Sequence, residues 1–387
     1  MAGPWRAQPL ERNAPWLGHA DAWAQLQTPA LCIDLGALEH NIDHLARWAR
    51  GAGIAIRPHA KTHKCQAIAR LQRAAGAVGM SATTLAEAEA MLAADVGPVL
   101  LTAPVVGAAK LGRLAALHAG HAARLLVVTD TPASVAELEA IAAAAGRPLG
   151  VLVEHAAGQG RSGCETLAEL EALVRAIGGC RHLELRGLQH YSGHLQHLAD
   201  PAQRRARVLE ATGAAARIVA ELRRGGAALD IVTGGGTGTL LAAAESALYT
   251  ELQPGSYVFM DAQYADALAA DTTVEFHPAL FVAARVTSVQ SAAARGYVTI
   301  DAGQKALSID PPGPRLRAAT VAGSAYEFFG DEHGRWRLPP GAAIPARGAR
   351  VDVLPGHCDP TVALHDAYHV LRGTELVAIW PVDARGY

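Results

Sequence analysis

A chain of 387 residues, half of them hydrophobic, is longer than one hydrophobic core usually serves, so two domains are expected. A formal net charge of −2 and the lack of any basic run argue against nucleic acid or an acidic membrane as a partner. The five scattered cysteines have neither zinc-finger spacing nor a disulfide framework, and no leader or transmembrane run is apparent, so a cytoplasmic protein is expected.

Residues 1–27 carry three tryptophans and little periodicity, and are expected to wrap the surface or join a later β domain. From Ile54 to Phe259 eight β-like runs follow: Ile54–Lys61, Ala77–Thr83, Val99–Ala103, Leu125–Thr129, Leu149–Glu154, Leu183–Tyr191, Ile231–Gly234 and Leu252–Phe259. Between them lie helical patterns such as Leu85–Ala94, Ser134–Ala145, Thr166–Ile177 and Gln203–Arg224, with apolar residues at spacings of three and four. Strands alternating with helices predict a parallel sheet. Eight units predict a (β/α)8 barrel over residues 28–264, with a doubly wound open sheet as the alternative. After Ala265 the helical patterns give way to Leu280–Gln290, Gly296–Asp301, Val351–Leu354, Ala367–Arg372 and Thr374–Ile379, which predict a mostly-β C-terminal domain over 265–387.

Barrel chemistry gathers at the C-terminal ends of the strands. Lysine is scarce, and Lys61 stands where the first run turns polar, in Arg57-Pro58-His59-Ala60-Lys61-Thr62-His63-Lys64. A partly desolvated amine there can form a Schiff base; a surface lysine at a strand end is the plainer alternative. Residues two apart share a face, so an inward Lys61 puts His59 and Arg57 one and two layers below it. The second run ends in Thr83, the fifth leads to Arg161, and the sixth leads to Tyr191, His194 and His197. The seventh ends in Thr233-Gly234-Gly235-Gly236-Thr237-Gly238, and the eighth contains Gly255-Ser256-Tyr257. Three glycines let amides converge on an anion, though a tight turn explains them too. An amine and a phosphate cradle on one rim point to pyridoxal 5'-phosphate, which needs both. Near the C-terminus, His357 and Asp359 are two apart in a stretch read as extended, so they face one way and suit a divalent cation; a simple hydrogen-bonded pair is the alternative.

These segments together resemble the D-threonine aldolase and D-serine dehydratase family, within the alanine racemase-like, fold type III pyridoxal phosphate enzymes. The resemblance runs from Thr28 to Trp380. Arg57–Lys64 is similar to the family's cofactor-lysine motif, Gly158–Gly163 to its arginine loop, Thr233–Gly238 and Pro254–Tyr257 to its phosphate segments, and His357–Thr361 to its metal motif. The resemblance implies that Lys61 carries the cofactor, that Thr83, Arg161 and Tyr191 touch it, and that His197 is the base, with His194 the alternative. It also implies a barrel plus β domain and a homodimer with active sites near the subunit interface. His-x-Asp in place of His-x-Cys marks the aldolase branch, whose members favour manganese, magnesium or cobalt over zinc. The implied reaction cleaves D-threonine and related D-3-hydroxy amino acids to glycine and an aldehyde. The alternatives are a D-serine or 3-hydroxyaspartate dehydratase, and a 3-hydroxyaspartate aldolase giving glyoxylate. A non-catalytic pyridoxal phosphate carrier would resemble the barrel half alone, and the C-terminal metal pair speaks against it.

Overall fold

The computed structural model describes residues 12–271, 273–317 and 321–386, which form two compact units. The β unit comprises 12–42, Ser256–Asp266 and Glu275–Arg385; the barrel unit comprises Asp43–Gly255, Ala267–Val274 and 386. Residues 28–42 and 256–264, expected in the barrel, therefore belong to the β unit. The reason lies in the ladder of β1 (Ala30–Asp34), which pairs antiparallel and parallel with two later strands, β10 (Leu280–Ser288) and β16 (Ala367–Arg372).

The barrel unit is built from β2 (Ala55–Ile56), β3 (Met80–Ala82), β4 (Val99–Leu101), β5 (Leu125–Thr129), β6 (Leu149–Glu154), β7 (Leu183–His190), β8 (Ile231–Gly234) and β9 (Glu251–Leu252). All neighbouring pairs are parallel, in the order β2-β9-β8-β7-β6-β5-β4-β3. A parallel bridge from His59 to Ser81 joins the first strand to β3 and closes the barrel. The first run is assigned only two strand residues because Pro58 has no N–H to give the ladder, yet pairing continues from His59 N–H to the Pro254 carbonyl at 3.0 Å. Several helices start on side-chain caps that accept first-turn amides. Thr84 caps Leu85–Ala93, Thr131 caps Pro132–Ala145, Thr166 caps Leu167–Gly178 and Asp200 caps Pro201–Arg224. Among the described residues, no helix is long and apolar enough to cross a membrane.

In the β unit, β11 (Tyr297–Ile300), β12 (Arg315–Leu316), β13 (Ala325–Phe328), β14 (Gly334–Arg337), β15 (Arg350–Leu354) and β17 (Glu375–Pro381) complete one sheet with β1, β10 and β16. Its core packs Leu26, Cys32, Phe281 and Leu371 with Trp16 and Trp23, so the N-terminal segment from residue 12 joins this unit. Trp5 lies outside the described residues. All five cysteines are free.

Each unit buries a neutral histidine. On β16, His369 Nδ1–H donates to the Leu31 carbonyl at 3.0 Å and Nε2 accepts from Asn13 at 2.8 Å. On β7, His190 shares a proton with His155, Nδ1 to Nδ1 at 3.0 Å. Burial pushes the pKa of His369 down to about 4 and that of His190 down to about 3, with the neighbouring His155 adding to the latter. Between those values and the unfolded histidine value of about 6.5, the unfolded chain binds more protons than the folded one. Stability is therefore full above about pH 6.5 and falls on acidification by about 1.4 kcal/mol per pH unit per histidine. Urea midpoints measured at pH 7.5, 6 and 5 should fall in step; a flat series would exclude this.

Candidate active site

The barrel interior is layered, and the layers follow from the period of two along each strand. The lower layer is apolar, with Leu100, Leu126, Val128 and Leu152 packed together and Ile231 against them. Two residues further along the same faces the side chains become polar. Gln189 Nε2 donates to the Thr102 carbonyl at 2.9 Å and to Glu154 Oε1 at 3.1 Å. Gln253 Nε2 donates to Thr233 Oγ1 at 2.8 Å and to Gln189 Oε1 at 3.4 Å. Burial pushes the Glu154 carboxyl upward, while hydrogen bonds from Ser162 and Gln189 pull the other way. Buried amides, hydroxyls and a carboxyl thus floor the C-terminal rim, with Glu154 Oε2 buried and without a hydrogen-bond partner.

Lys61 sits on this rim, half-buried, in the turn after the bridge at His59. Its backbone N–H donates to His59 Nδ1 at 3.3 Å. Nδ1 is then the acceptor, so the ring proton of the neutral imidazole lies on Nε2, which is 3.3 Å from both Thr102 Oγ1 and Thr83 Oγ1. Thr83 is thereby placed beside the lysine turn. Lys64 has a different environment: it is buried and ion-paired with Glu87, which also accepts the Thr83 N–H at 2.7 Å. Of the two lysines in the motif, Lys64 is anchored, and Lys61 is the one presented at the rim.

The strands beside Lys61 bring in the glycine segments. Pro254-Gly255 leaves β9 next to the lysine strand. A Cβ on Gly255 would stand 2.5 Å from Thr62 Oγ1, a buried hydroxyl without a protein partner. One strand further, Thr233, Gly234, Gly235, Gly236 and Thr237 are all buried at the end of β8. Two amides of this loop already serve the protein: Gly236 N–H donates to Thr239 Oγ1 and Gly238 N–H to Gln196 Oε1, each at 3.1 Å. The converging-amide expectation therefore does not extend to those two amides. Ser256 and Tyr257, expected to continue the Gly255 segment, lie in the β unit within the 3-10 turn Ser256–Val258. There Tyr257 is buried with its ring 5.7 Å from Phe276.

Arg161 and Tyr191 meet, the guanidinium 5.6 Å from the ring centroid. The arginine loop also touches the histidine loop, since a Cβ on Gly158 would lie 3.7 Å from His194 Cε1. His194 belongs to the 3-10 turn Gly193–Leu195, His197 follows it, and both are exposed.

The metal pair departs from its expected geometry. His357 is extended, but it caps a short helix, Cys358–Ala363, so Asp359 stands in a helical first turn and not in an extended stretch. Pro360 explains this, because its fixed φ suits the first turn of a helix. His357 Nδ1 lies 2.8 Å from Asp310 Oδ2. Cys358 is fully buried, and burial, with Asp261 and Asp359 close by, raises its thiol pKa well above the usual value. Asp359, half-buried, is the better second donor. Among the described residues, no three His, Cys, Asp or Glu side chains gather as a cage.

Residues 33–263 match the family model for the alanine racemase N-terminal domain, and residues 279–371 match a putative serine dehydratase domain. The chain is 37% identical to a D-threonine aldolase from an Arthrobacter species over 95% of both chains. It is 35% identical to a 3-hydroxy-D-aspartate aldolase from Paracoccus denitrificans, over 94% of this chain and 93% of the relative. The crystal structure of D-threonine aldolase from Filomicrobium marinum superposes with a TM-score of 0.88 at 39% identity, covering 94% of this chain and 96% of that one. The chain belongs to the D-threonine aldolase and D-serine dehydratase family. Membership of this alanine racemase-like family implies pyridoxal 5'-phosphate, and the residues present fit it. A rim amine, an orphaned buried hydroxyl at Thr62, and a glycine that leaves that hydroxyl uncovered are what an aldehyde with a phosphate tail requires. His357 and Asp359 are nitrogen and oxygen donors of the types that suit a borderline or hard divalent cation. Sequence reasoning missed the polar floor of Thr102, Glu154, Gln189 and Gln253, although its residues follow the apolar runs in strict alternation. It also missed Asp310, 47 residues from its histidine partner, for which no sequence spacing gives a signal.

Proposed function

We propose that this protein is a pyridoxal phosphate- and divalent metal-dependent carbon–carbon lyase cleaving D-threonine and related D-3-hydroxy amino acids to glycine and an aldehyde. The observation that carries this is the placement of Lys61 between Thr83, at its side through His59, and the Gly255 and Gly234–Thr237 segments on the next two strands. Similarity to aldolases over nearly the whole length supports it. When bound, pyridoxal phosphate supplies the electron sink for Cα–Cβ cleavage, and the cation supplies Lewis acidity toward the substrate hydroxyl. Lys61 is the residue that would carry the cofactor covalently. Thr233, Gly234, Gly235, Gly236, Thr237, Gly255, Ser256 and Tyr257 would hold its phosphate end. Arg161, stacked on Tyr191, would orient the ring, with Thr83 beside it. His357 and Asp359 would hold the metal. His197 would take the proton from the substrate hydroxyl, and His194, in the same loop, is the alternative base. Manganese, magnesium or cobalt is favoured over zinc because the second donor is a carboxylate and the adjacent thiol is buried. The working form is a cytoplasmic homodimer, in keeping with the family resemblance and with five cysteines that form no disulfide.

A chelator should abolish turnover of D-threonine while leaving the visible absorbance of bound cofactor in place. Retained turnover after exhaustive chelation would remove the metal from the mechanism. The match of residues 279–371 to a putative serine dehydratase domain favours a second outcome, loss of the β-hydroxyl as water. Product analysis with D-threonine, D-serine and 3-hydroxyaspartate, with and without added metal, separates the readings. Glycine with acetaldehyde or glyoxylate marks an aldolase; ammonia with a keto acid marks a dehydratase.

A further inference from the structure

We propose that Asp310 is the positioning residue of the metal site, an inference that rests on His357 being a metal ligand. A carboxylate only accepts hydrogen bonds, so the 2.8 Å contact from His357 Nδ1 to Asp310 Oδ2 places the ring proton on Nδ1. The lone pair available for a cation is then on Nε2. A carboxylate behind a ligating imidazole fixes its tautomer and ring orientation and makes the ligand more basic.

The surroundings show that this contact is built in rather than a chance surface pairing. Asp310 N–H donates to Ser308 Oγ at 3.2 Å, and Ser308 N–H donates to Thr361 Oγ1 at 3.0 Å. Thr361 Oγ1 in turn donates to the His357 carbonyl at 2.8 Å. Two segments, 308–310 and 357–361, are thus tied by consecutive hydrogen bonds that begin and end on the two partners. Gly356 makes the approach possible, because a Cβ there would lie 2.9 Å from the Asp310 carbonyl oxygen. Ile309, one residue before, is two-thirds exposed, and the Asp310 side chain is itself half-exposed beside the histidine. Below, the Cys358 N–H donates to Asp261 Oδ2 at 2.8 Å, which fixes the start of the helix carrying Asp359. His357 is therefore held by its carbonyl, by the backbone that follows it and by its ring nitrogen, and Asp310 determines which nitrogen faces a cation.

The test uses full-length enzyme loaded with pyridoxal phosphate and titrated with manganese(II) by calorimetry. Asp310→Ala should weaken manganese binding about 10- to 100-fold, and Asp310→Asn, which keeps an acceptor without the charge, by less. The cofactor's visible band and the melting temperature should match those of the parent in both variants. Should Asp310→Ala fail to fold, the comparison rests on Asp310→Asn, where a threefold or larger loss supports the proposal. Parent-like manganese affinity in both variants overturns it. So does complete loss of binding in both variants, equal to that of His357→Ala, because Asp310 would then be a ligand itself. If His357→Ala binds manganese as tightly as the parent, the metal reading of His357 has failed and the proposal falls with it.

Discussion

Lys61→Ala protein incubated with pyridoxal 5'-phosphate should remain colourless and lose turnover by a factor on the order of 10⁴ or more, as when a unit of catalytic machinery loses an essential member. The size of the effect depends on whether another amine can step in, and the structure supplies the reason that none does. Lys64 is three residues away, but its ammonium is buried against Glu87. That carboxylate is itself fixed by the Thr83 and Thr84 amides at 2.7 and 3.3 Å as part of a capping box. Withdrawing Lys64 would leave Glu87 buried and unpaired, which costs several kcal/mol. Lys64→Ala should therefore show the converse pattern, with colour kept and thermal stability lowered. Borohydride reduction followed by peptide mapping provides the direct readout. The pyridoxyl adduct should sit on the peptide containing Lys61, and an adduct on Lys64 in the parent protein would reverse the assignment.

What was legible in the sequence was the alternation. The runs Leu125–Thr129, Leu149–Glu154 and Ile231–Gly234 match β5, β6 and β8 to the residue, because continuous apolar strands bounded by helix caps leave little freedom in register. The outer runs were less exact. The eighth reads as one apolar stretch to Phe259, but β9 stops at Leu252, pairing continues only as far as Pro254, and the residues from Ser256 belong to the β unit. β1 escaped notice because its partners, β10 and β16, lie some 250 and 340 residues later, and a strand stabilised by such distant pairing carries no local turn signal. The candidate site divides along the same line. Lys61, the glycine segments and the histidine loop announce themselves by composition. His59, Glu154, Gln189 and Asp310 act through contacts across the fold, and a side chain's partner there depends on which strands are neighbours and not on spacing along the chain.

Arg57 illustrates that division most sharply, and its removal should have the largest effect on stability. In the sequence it opens the lysine motif and falls two layers below Lys61. In the structure it lies below the polar floor, donating to Glu251 through Nε at 2.7 Å and an amino nitrogen at 2.9 Å, with a further bond to the Pro98 carbonyl at 3.0 Å. Both charges are nearly inaccessible, at 4% exposure each, so neither can be left alone. Arg57→Ala strands a buried carboxylate and should cost about 3–5 kcal/mol; Glu251→Ala strands a guanidinium and should cost a similar amount. The pair Arg57→Met with Glu251→Leu leaves no charge behind and should recover most of the loss, since apolar replacements of buried ion pairs are often neutral or stabilising. Urea unfolding of the parent, Arg57→Met, Glu251→Leu and the Arg57→Met/Glu251→Leu double forms the double-mutant cycle that measures this. The residue's functional effect then follows from topology. β2 and β9 are neighbours, Arg57 clamps one to the other, and Lys61 and Gly255 leave those two strands within a few residues of the clamp. The double variant should accordingly bind pyridoxal phosphate as the parent does, while Arg57→Ala should bind it more weakly wherever it remains folded. Weak binding in the fully folded double variant would give Arg57 a direct role toward the cofactor, which its position two layers beneath Lys61 argues against.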